Sequence, residues 1–161
     1  MSRVKVGIGY DIHRLVEGRK LVLGNIEIPH NRGLDGHSDA DVLLHAVCDA
    51  ILGALGKGDI GEHFPNTDPV YKDADSLALL KEVYALARGQ KYIIGNLDCV
   101  IQAEEPNLSK YKDKMRDNIA AVLDVDKSMV NIKATTQERL GAIGNKEGIA
   151  AFASVLLTKD N

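Results

Sequence analysis

Apolar residues at Val4, Val6, Ile8, Tyr10 and Ile12 alternate with Lys5, Gly7, Gly9, Asp11 and His13. A period of two marks a strand with one apolar face, and it sets Asp11 and His13 together on the other face. Residues 21–29 read as a short hairpin turning at Gly24-Asn25, a pair suited to tight turns. Residues 31–36 read as a loop. The period then changes. Val42, Leu43, Ala46, Val47, Ala50, Ile51, Ala54 and Leu55 recur at helical spacing, with Ser38 as the expected N-cap, Asp41 three residues on, and Gly56 and Gly58 as the stop. On another face of this helix Asp41, His45 and Asp49 stack at i, i+4 and i+8. Beyond it the pattern predicts a loop over 58–69, a helix over 75–88 closed by Gly89, and a strand over 92–103. A helix over 108–123, a strand over 130–136, a glycine-bearing loop over 141–148 and a last strand over 149–157 complete the chain. Strands and helices interleave, which predicts an α/β (α+β) fold: a two-layer sandwich of a mixed sheet with helices on one face.

Composition narrows this picture. A chain of 161 residues, 45% of them apolar, predicts a single domain over residues 1–161 with a core that needs no disulfide staples. Cys48 and Cys99 are its two cysteines, a usage that suggests a reducing compartment. No apolar run approaches the roughly 18 residues of a membrane span, and residues 1–5 enter the strand pattern directly, without a signal segment. The expectation is a cytoplasmic domain. With 20 Lys and Arg against 23 Asp and Glu, a net charge of −3, 4% aromatics and no Trp, a polyanion binder or a base-stacking platform is disfavoured. A phosphate ligand would have to be held by metal ions, backbone N–H groups and a few placed side chains.

Four clusters carry candidate chemistry. Asp11 and His13 lie at i and i+2, about 7 Å apart along the strand, and His45 on the helix's polar side is a natural third ligand. Asp, His and His form a mixed oxygen and nitrogen set suited to Zn²⁺ with one position open, and Asp49 is placed to orient His45. A D-x-H tripeptide by itself is also common without metal. His37 and Ser38 precede the helix, where free N–H groups favour an anion; Ser38 also reads as a plain cap. Gly58-Asp59-Ile60-Gly61 with Phe64-Pro65-Asn66-Thr67-Asp68 is a long loop whose acids suit ribose hydroxyls or hydrated Mg²⁺, or simply solvent. Thr135-Thr136-Gln137-Glu138 at a strand end offers hydroxyls to phosphate and a carboxylate to Mg²⁺, or ordinary strand chemistry.

Taken together, Gly9-Tyr10-Asp11-Ile12-His13, His37-Ser38-Asp39-Ala40-Asp41-Val42-Leu43-Leu44-His45, the loop of Gly58–Asp68, and Lys133-Ala134-Thr135-Thr136-Gln137-Glu138 resemble the 2-C-methyl-D-erythritol 2,4-cyclodiphosphate synthase family. The resemblance runs from about Val4 to Leu157. It implies a homotrimer with active sites between subunits. It also implies a phosphorus–oxygen lyase of the non-mevalonate isoprenoid pathway. Such an enzyme converts 4-diphosphocytidyl-2-C-methyl-D-erythritol 2-phosphate to the 2,4-cyclodiphosphate and releases CMP. By the same resemblance Zn²⁺ is held by Asp11, His13 and His45, and Mg²⁺ or Mn²⁺ by Glu138. His37 and Thr136 act on the transition state. Asp11, His13, His37 and Ser38 also bind the substrate, while Asp59, Ile60 and Gly61 hold the methylerythritol part, with Phe64, Pro65, Asn66, Thr67 and Asp68 nearby. Ala103, Glu104, Glu105, Pro106, Asn107, Leu108 and Ser109, with Thr135, Thr136, Gln137 and Glu138, form the cytidine and diphosphate pocket of the adjacent subunit.

The chain departs from the family pattern at Asn66, where Asp is common, and at Ala142 and Asn145, where an aromatic residue and Arg are common. The last two lie toward the family's trimer axis, where a phosphorylated isoprenoid binds; Lys146 is the nearby source of charge. Two other readings of the same residues are a zinc phosphohydrolase using metal-bound water and a non-enzymatic module with a structural zinc.

Overall fold

The computed structural model describes residues 2–160, so the first and last residues of the domain expected over 1–161 lie outside it. The alternating start of the chain forms the longest strand, β1 (Val4–Glu17). The expected hairpin follows as β2 (Leu21–Leu23) and β3 (Ile26–Ile28), antiparallel. Gly24 and Asn25 at its turn have φ of 57° and 59°, as a tight primed turn requires. Residues 31–36 are not all loop: β4 (Arg32–Leu34) pairs with the far end of β1. Three residues around a glycine carry too little pattern to read as a strand, and the pairing partner is what makes them one.

The first long helix is α1 (Val42–Leu55), and its N-cap is Asp41, not Ser38. Asp41 accepts from the Leu44 N–H at 3.1 Å, the geometry of a true cap. Gly56 closes the helix in the left-handed conformation. The expected loop over 58–69 contains a one-turn helix, α2 (Ile60–His63), capped by Asp59. Then come α3 (Ser76–Gly89), β5 (Tyr92–Gln102), α4 (Lys112–Val122), β6 (Val130–Thr135), α5 (Gly141–Gly144) and β7 (Gly148–Lys159). α4 starts later than Leu108 because the intervening residues form turns, with Asn107 accepting from the Ser109 N–H.

Five strands make one sheet in the order β4-β1-β7-β5-β6. Only β5 and β6 run parallel; the other pairings are antiparallel, so the sheet is mixed. α1 lies directly on β1. A Cβ on Gly7 or Gly9 would fall 1.8 Å from the carbonyl oxygen of Ala50 or Ala46, so only glycine allows this approach. The core lies between helices and sheet, where Leu43, Leu44, Ile51, Leu80, Ile119, Leu97 and Ile101 are fully buried or nearly so.

The apolar alternation of β1 faces the other way. Val6 and Ile8 are 69% and 71% exposed, and Val4, Tyr10 and Ile12 are also exposed. Tyr10 rests on Phe152 of β7, with ring centroids 4.6 Å apart. The glycine face of β1 is therefore the one covered by a helix, and the apolar face is uncovered in a single chain. A continuous apolar strip of this kind marks an interaction surface. Among the described residues, no helix is long and apolar enough to cross a membrane.

Candidate active site

The close seating of α1 on Gly9 sets His45 beside Asp11 and His13. Asp11 Oδ2 lies 2.8 Å from His13 Nε2 and 3.1 Å from His45 Nδ1, and the two nitrogens are 3.3 Å apart. A triangle with edges of this size fits around a divalent ion whose ligands lie about 2.0–2.1 Å away. The donor set also fits in a second way. His13 Nδ1–H donates to the Asp35 carbonyl at 2.6 Å, which leaves Nε2 a lone pair. His45 Nε2 lies 2.9 Å from Ser76 Oγ and 3.2 Å from Ser38 Oγ. When its hydrogen is on that side, His45 Nδ1 is also a lone pair. Two lone pairs and a carboxylate oxygen then converge, an arrangement that needs a cation at its centre. Asp11, His13 and His45 could thus hold a metal ion.

A proton competes with a cation for the same place. Burial pushes the Asp11 carboxyl up, yet with the histidines protonated their hydrogen bonds and charges bring it down to about 2. Burial pushes His13 down, and its bonds to Asp11 and the Asp35 carbonyl outweigh that and raise it. Asp49 does not orient His45, as its spacing suggested. Its Oδ1 accepts from the Ile60 N–H at 2.7 Å and so pins α2 against α1. Ser76, fully buried at the start of α3, takes the position behind His45. Sequence reasoning missed it because a serine at a helix start reads as ordinary capping.

The cluster opens on a cavity of about 180 Å³ lined by Asp11, His13, His37, Ser38, His45, Ile60, Gly61, Phe64 and Asn66 among others. His37 is fixed there, its Nε2–H donating to the Asp68 carbonyl at 3.1 Å. Arg19 donates to the carbonyls of Leu34 and Ser38, holding the segment on which His37 and Ser38 stand. Asp59 accepts from the Glu62 N–H and Asp68 from the Val70 N–H. Pro65 is half-buried beside them, and Thr67 is exposed.

The other expected residues gather elsewhere. Ala103, Glu104, Pro106, Asn107, Leu108 and Ser109 with Ala134, Thr135 and Thr136 line a second cleft of about 160 Å³. Glu104 accepts from the Gln137 N–H at 3.1 Å, which ties the two loops together. Thr136 Oγ1 accepts from the Glu138 N–H at 3.3 Å. Among the described residues, the exposed Glu138 carboxylate has no ion-pair or hydrogen-bond partner. Glu105 is occupied differently: Lys146 Nζ lies 2.9 Å from its Oε2, and His30 and Arg32 flank its Oε1.

The two clefts stand at opposite edges of the sheet. The register runs Asp11↔Ala151, Ala151↔Ile101, Ile101↔Ala134, three strand spacings or about 14 Å. Within one chain, Thr136 and Glu138 are not brought to the Asp11, His13 and His45 cluster.

Comparison with known proteins gives consistent findings. A model of the YgbB family matches residues 4–158. The 2-C-methyl-D-erythritol 2,4-cyclodiphosphate synthase of Geotalea uraniireducens is 59% identical over 156 residues, covering 97% of this chain and 99% of that protein. The protein of the same name from Bacillus subtilis is 56% identical over 155 residues, covering 96% and 98%. Among solved structures, the bifunctional IspDF of Campylobacter jejuni matches with a TM-score of 0.93 and 46% identity, over 97% of this chain and 42% of that one. The IspF–CDP complex of Plasmodium falciparum matches with a TM-score of 0.87 and 36% identity, over 100% of both chains.

Proposed function

The chain belongs to the YgbB family, and from that membership we propose how its site works. The reaction is the one its relatives are named for: 4-diphosphocytidyl-2-C-methyl-D-erythritol 2-phosphate is cyclised to 2-C-methyl-D-erythritol 2,4-cyclodiphosphate, with release of CMP. The enzyme is a phosphorus–oxygen lyase of the non-mevalonate isoprenoid pathway. The alternative of a zinc phosphohydrolase gives way to the name those relatives carry. The observation that carries the reading is the convergence of Asp11 Oδ2, His13 Nε2 and His45 Nδ1 at a cavity lined by His37 and Ser38.

The nucleophile is an oxygen of the substrate's own 2-phosphate. It is already ionised at neutral pH and needs no general base. It attacks the β-phosphorus, the bond from that phosphorus to the oxygen bridging it to the α-phosphate breaks, and CMP leaves with the electron pair. Such a step needs alignment and relief of phosphate repulsion. Zn²⁺ on Asp11, His13 and His45, and Mg²⁺ or Mn²⁺ on Glu138, would supply positive charge against the attacking and leaving phosphates. The free, exposed carboxylate of Glu138 suits that task. His37, immobilised by Asp68, and Ser38 bind the phosphate end, while Asp59, Ile60, Gly61 and Phe64 to Asp68 hold the methylerythritol. Thr136 donates its hydroxyl to phosphate oxygen as charge develops. Ala103 to Ser109 with Thr135 to Glu138 receive the cytidine diphosphate part, a ligand type present in the Plasmodium falciparum complex.

The assembly in this reading is a homotrimer with one domain, residues 1–161, per subunit and a site at each junction. Two observations support it. The half-sites lie at opposite edges of one sheet, where edge-to-edge contact between copies joins them. The uncovered apolar face of β1 needs covering. A cytoplasmic location accords with two free, buried cysteines. The decisive assay follows the products. CMP released without inorganic phosphate, and no solvent oxygen in the product, is the expected result; inorganic phosphate or solvent label would refute the cyclising reaction.

A further inference from the structure

Behind His45 lies a hydrogen-bonded chain that the reaction as derived above does not use. Ser76 is the first residue of α3, yet its side chain is fully buried. The helix is already capped by Asp75, whose Oδ1 accepts from the Leu77 N–H at 2.9 Å, so capping does not explain Ser76. Asp39, from the segment before α1, grips it twice. Asp39 Oδ2 accepts from the Ser76 N–H at 3.0 Å, and Asp39 Oδ1 accepts from the Ser76 hydroxyl. Oδ1 also accepts from the Asp41 N–H at 3.1 Å.

A hydroxyl has one hydrogen to donate. Asp39 takes that hydrogen, so toward His45 Nε2, 2.9 Å away, Ser76 Oγ can only accept. Nε2 must then carry the imidazole hydrogen, and Nδ1, the atom beside Asp11 and His13, must carry the lone pair. We infer that Asp39 and Ser76 are positioning residues for the metal centre: they fix the tautomer and ring orientation of His45. His13 is handled by the same logic with a simpler part, the Asp35 carbonyl on its rear nitrogen. The His45 version ends in a carboxylate, which makes the imidazole a stronger electron donor. It also ties the first residue of α3 to the segment that carries His37 and Ser38, so the metal ligand and the phosphate-binding segment are set by one network. This rests on the reading of Asp11, His13 and His45 as zinc ligands.

The test is zinc affinity, measured by competition with a chromophoric chelator, for wild type, Ser76→Ala, Ser76→Thr and Asp39→Asn. Outer partners of metal-bound histidines typically contribute about 10–100-fold in affinity, and Ser76→Ala is expected to lose zinc affinity by that order. Ser38 Oγ, 3.2 Å from the same nitrogen, remains as a poorer acceptor, so weakening rather than abolition is expected. Ser76→Thr keeps the hydroxyl and should recover most of the loss. Asp39→Asn keeps the shape and tests the carboxylate even where Ser76→Ala does not fold. In the zinc-loaded wild type, ¹⁵N shifts should report hydrogen on Nε2 of His45. Wild-type affinity in both folded Ser76→Ala and Asp39→Asn overturns the inference alone. A wild type that takes up no zinc overturns the metal reading and the inference with it.

Discussion

The two clefts of this chain are built in opposite ways. In the first, Asp11, His13 and His45 are buried or half-buried, and each imidazole has a fixed partner behind it. Its geometry is held by the protein's own hydrogen bonds. In the second, Thr135, Thr136 and Glu138 are exposed on the last turn out of β6, and the cleft is tied by the Ala103 N–H to the Thr135 carbonyl and by the Gln137 N–H to Glu104. The difference teaches where order must come from. A metal triangle has to be set within a few tenths of an ångström, so it is placed where helix and sheet overdetermine it. The second cleft, proposed for the nucleotide, is left for the ligand and, in the proposed assembly, the neighbouring subunit to complete.

The sharpest way to break this contrast is to remove one residue from each side. His45→Ala should abolish bound zinc and lower turnover by roughly 10³-fold or more, with the oligomer unchanged on sizing. Full zinc occupancy by metal analysis would remove His45 from the ligand set. Thr136→Ala should lower kcat by about 100-fold, the size of one lost transition-state hydrogen bond, with zinc content and KM nearly unchanged. A rise in KM at constant kcat would make Thr136 a binding residue only.

A third experiment asks whether the halves belong to different chains. His45→Ala subunits keep the second cleft intact, and Thr136→Ala subunits keep the first. Reassembled at equal amounts into random trimers, about one quarter of the junctions unite two intact halves. Mixing two nearly inactive variants should therefore restore about a quarter of wild-type turnover, read as CMP release. Activity no higher than the sum of the separate variants would mean that each chain carries its whole site, and the proposed division between subunits would fail.

Much of the first cleft is legible in the sequence because it is local. The period of β1 puts Asp11 and His13 on one face, and helical spacing sets His45 on a polar stripe, so the triad emerges from two periodicities. What is not legible depends on partners far along the chain. Nothing near Ser76 shows that it will meet His45 or Asp39, and Asp49 has the better spacing but is claimed by the Ile60 N–H. The N-cap shifts from Ser38 to Asp41 for the same reason, since the Asp41 carboxylate also receives the Gly24 and Asn25 N–H groups of the β2–β3 turn. The period of β1 reveals its apolar face, but not that this face is the uncovered one. Deciding that required Gly7 and Gly9 to be seen as the seat of α1.

Asp41 yields the smallest effect, and it sharpens the contrast by testing how rigid the support of the first cleft is. Its carboxyl is fully buried. Burial pushes it up to about 6 from 3.8; the Asn25, Leu44 and Gly24 N–H groups pull it down, and the charge of Asp39 adds to the rise. Between those two values the folded chain binds more protons than the unfolded one, so this group's contribution to stability is fully present below about 3.8 and is lost as pH rises toward 6. The whole change is at most about 3 kcal/mol. Asp41→Asn removes the titration and keeps the shape. Urea midpoints of the two proteins, compared from pH 4 to 7, should show wild type losing ground to the variant as pH rises to 6 and a constant difference above. A difference that stays flat throughout would mean that Asp41 is ionised across the range, its backbone donors compensating fully for burial. The support beneath His45 would then be set by hydrogen bonds to a charged cap.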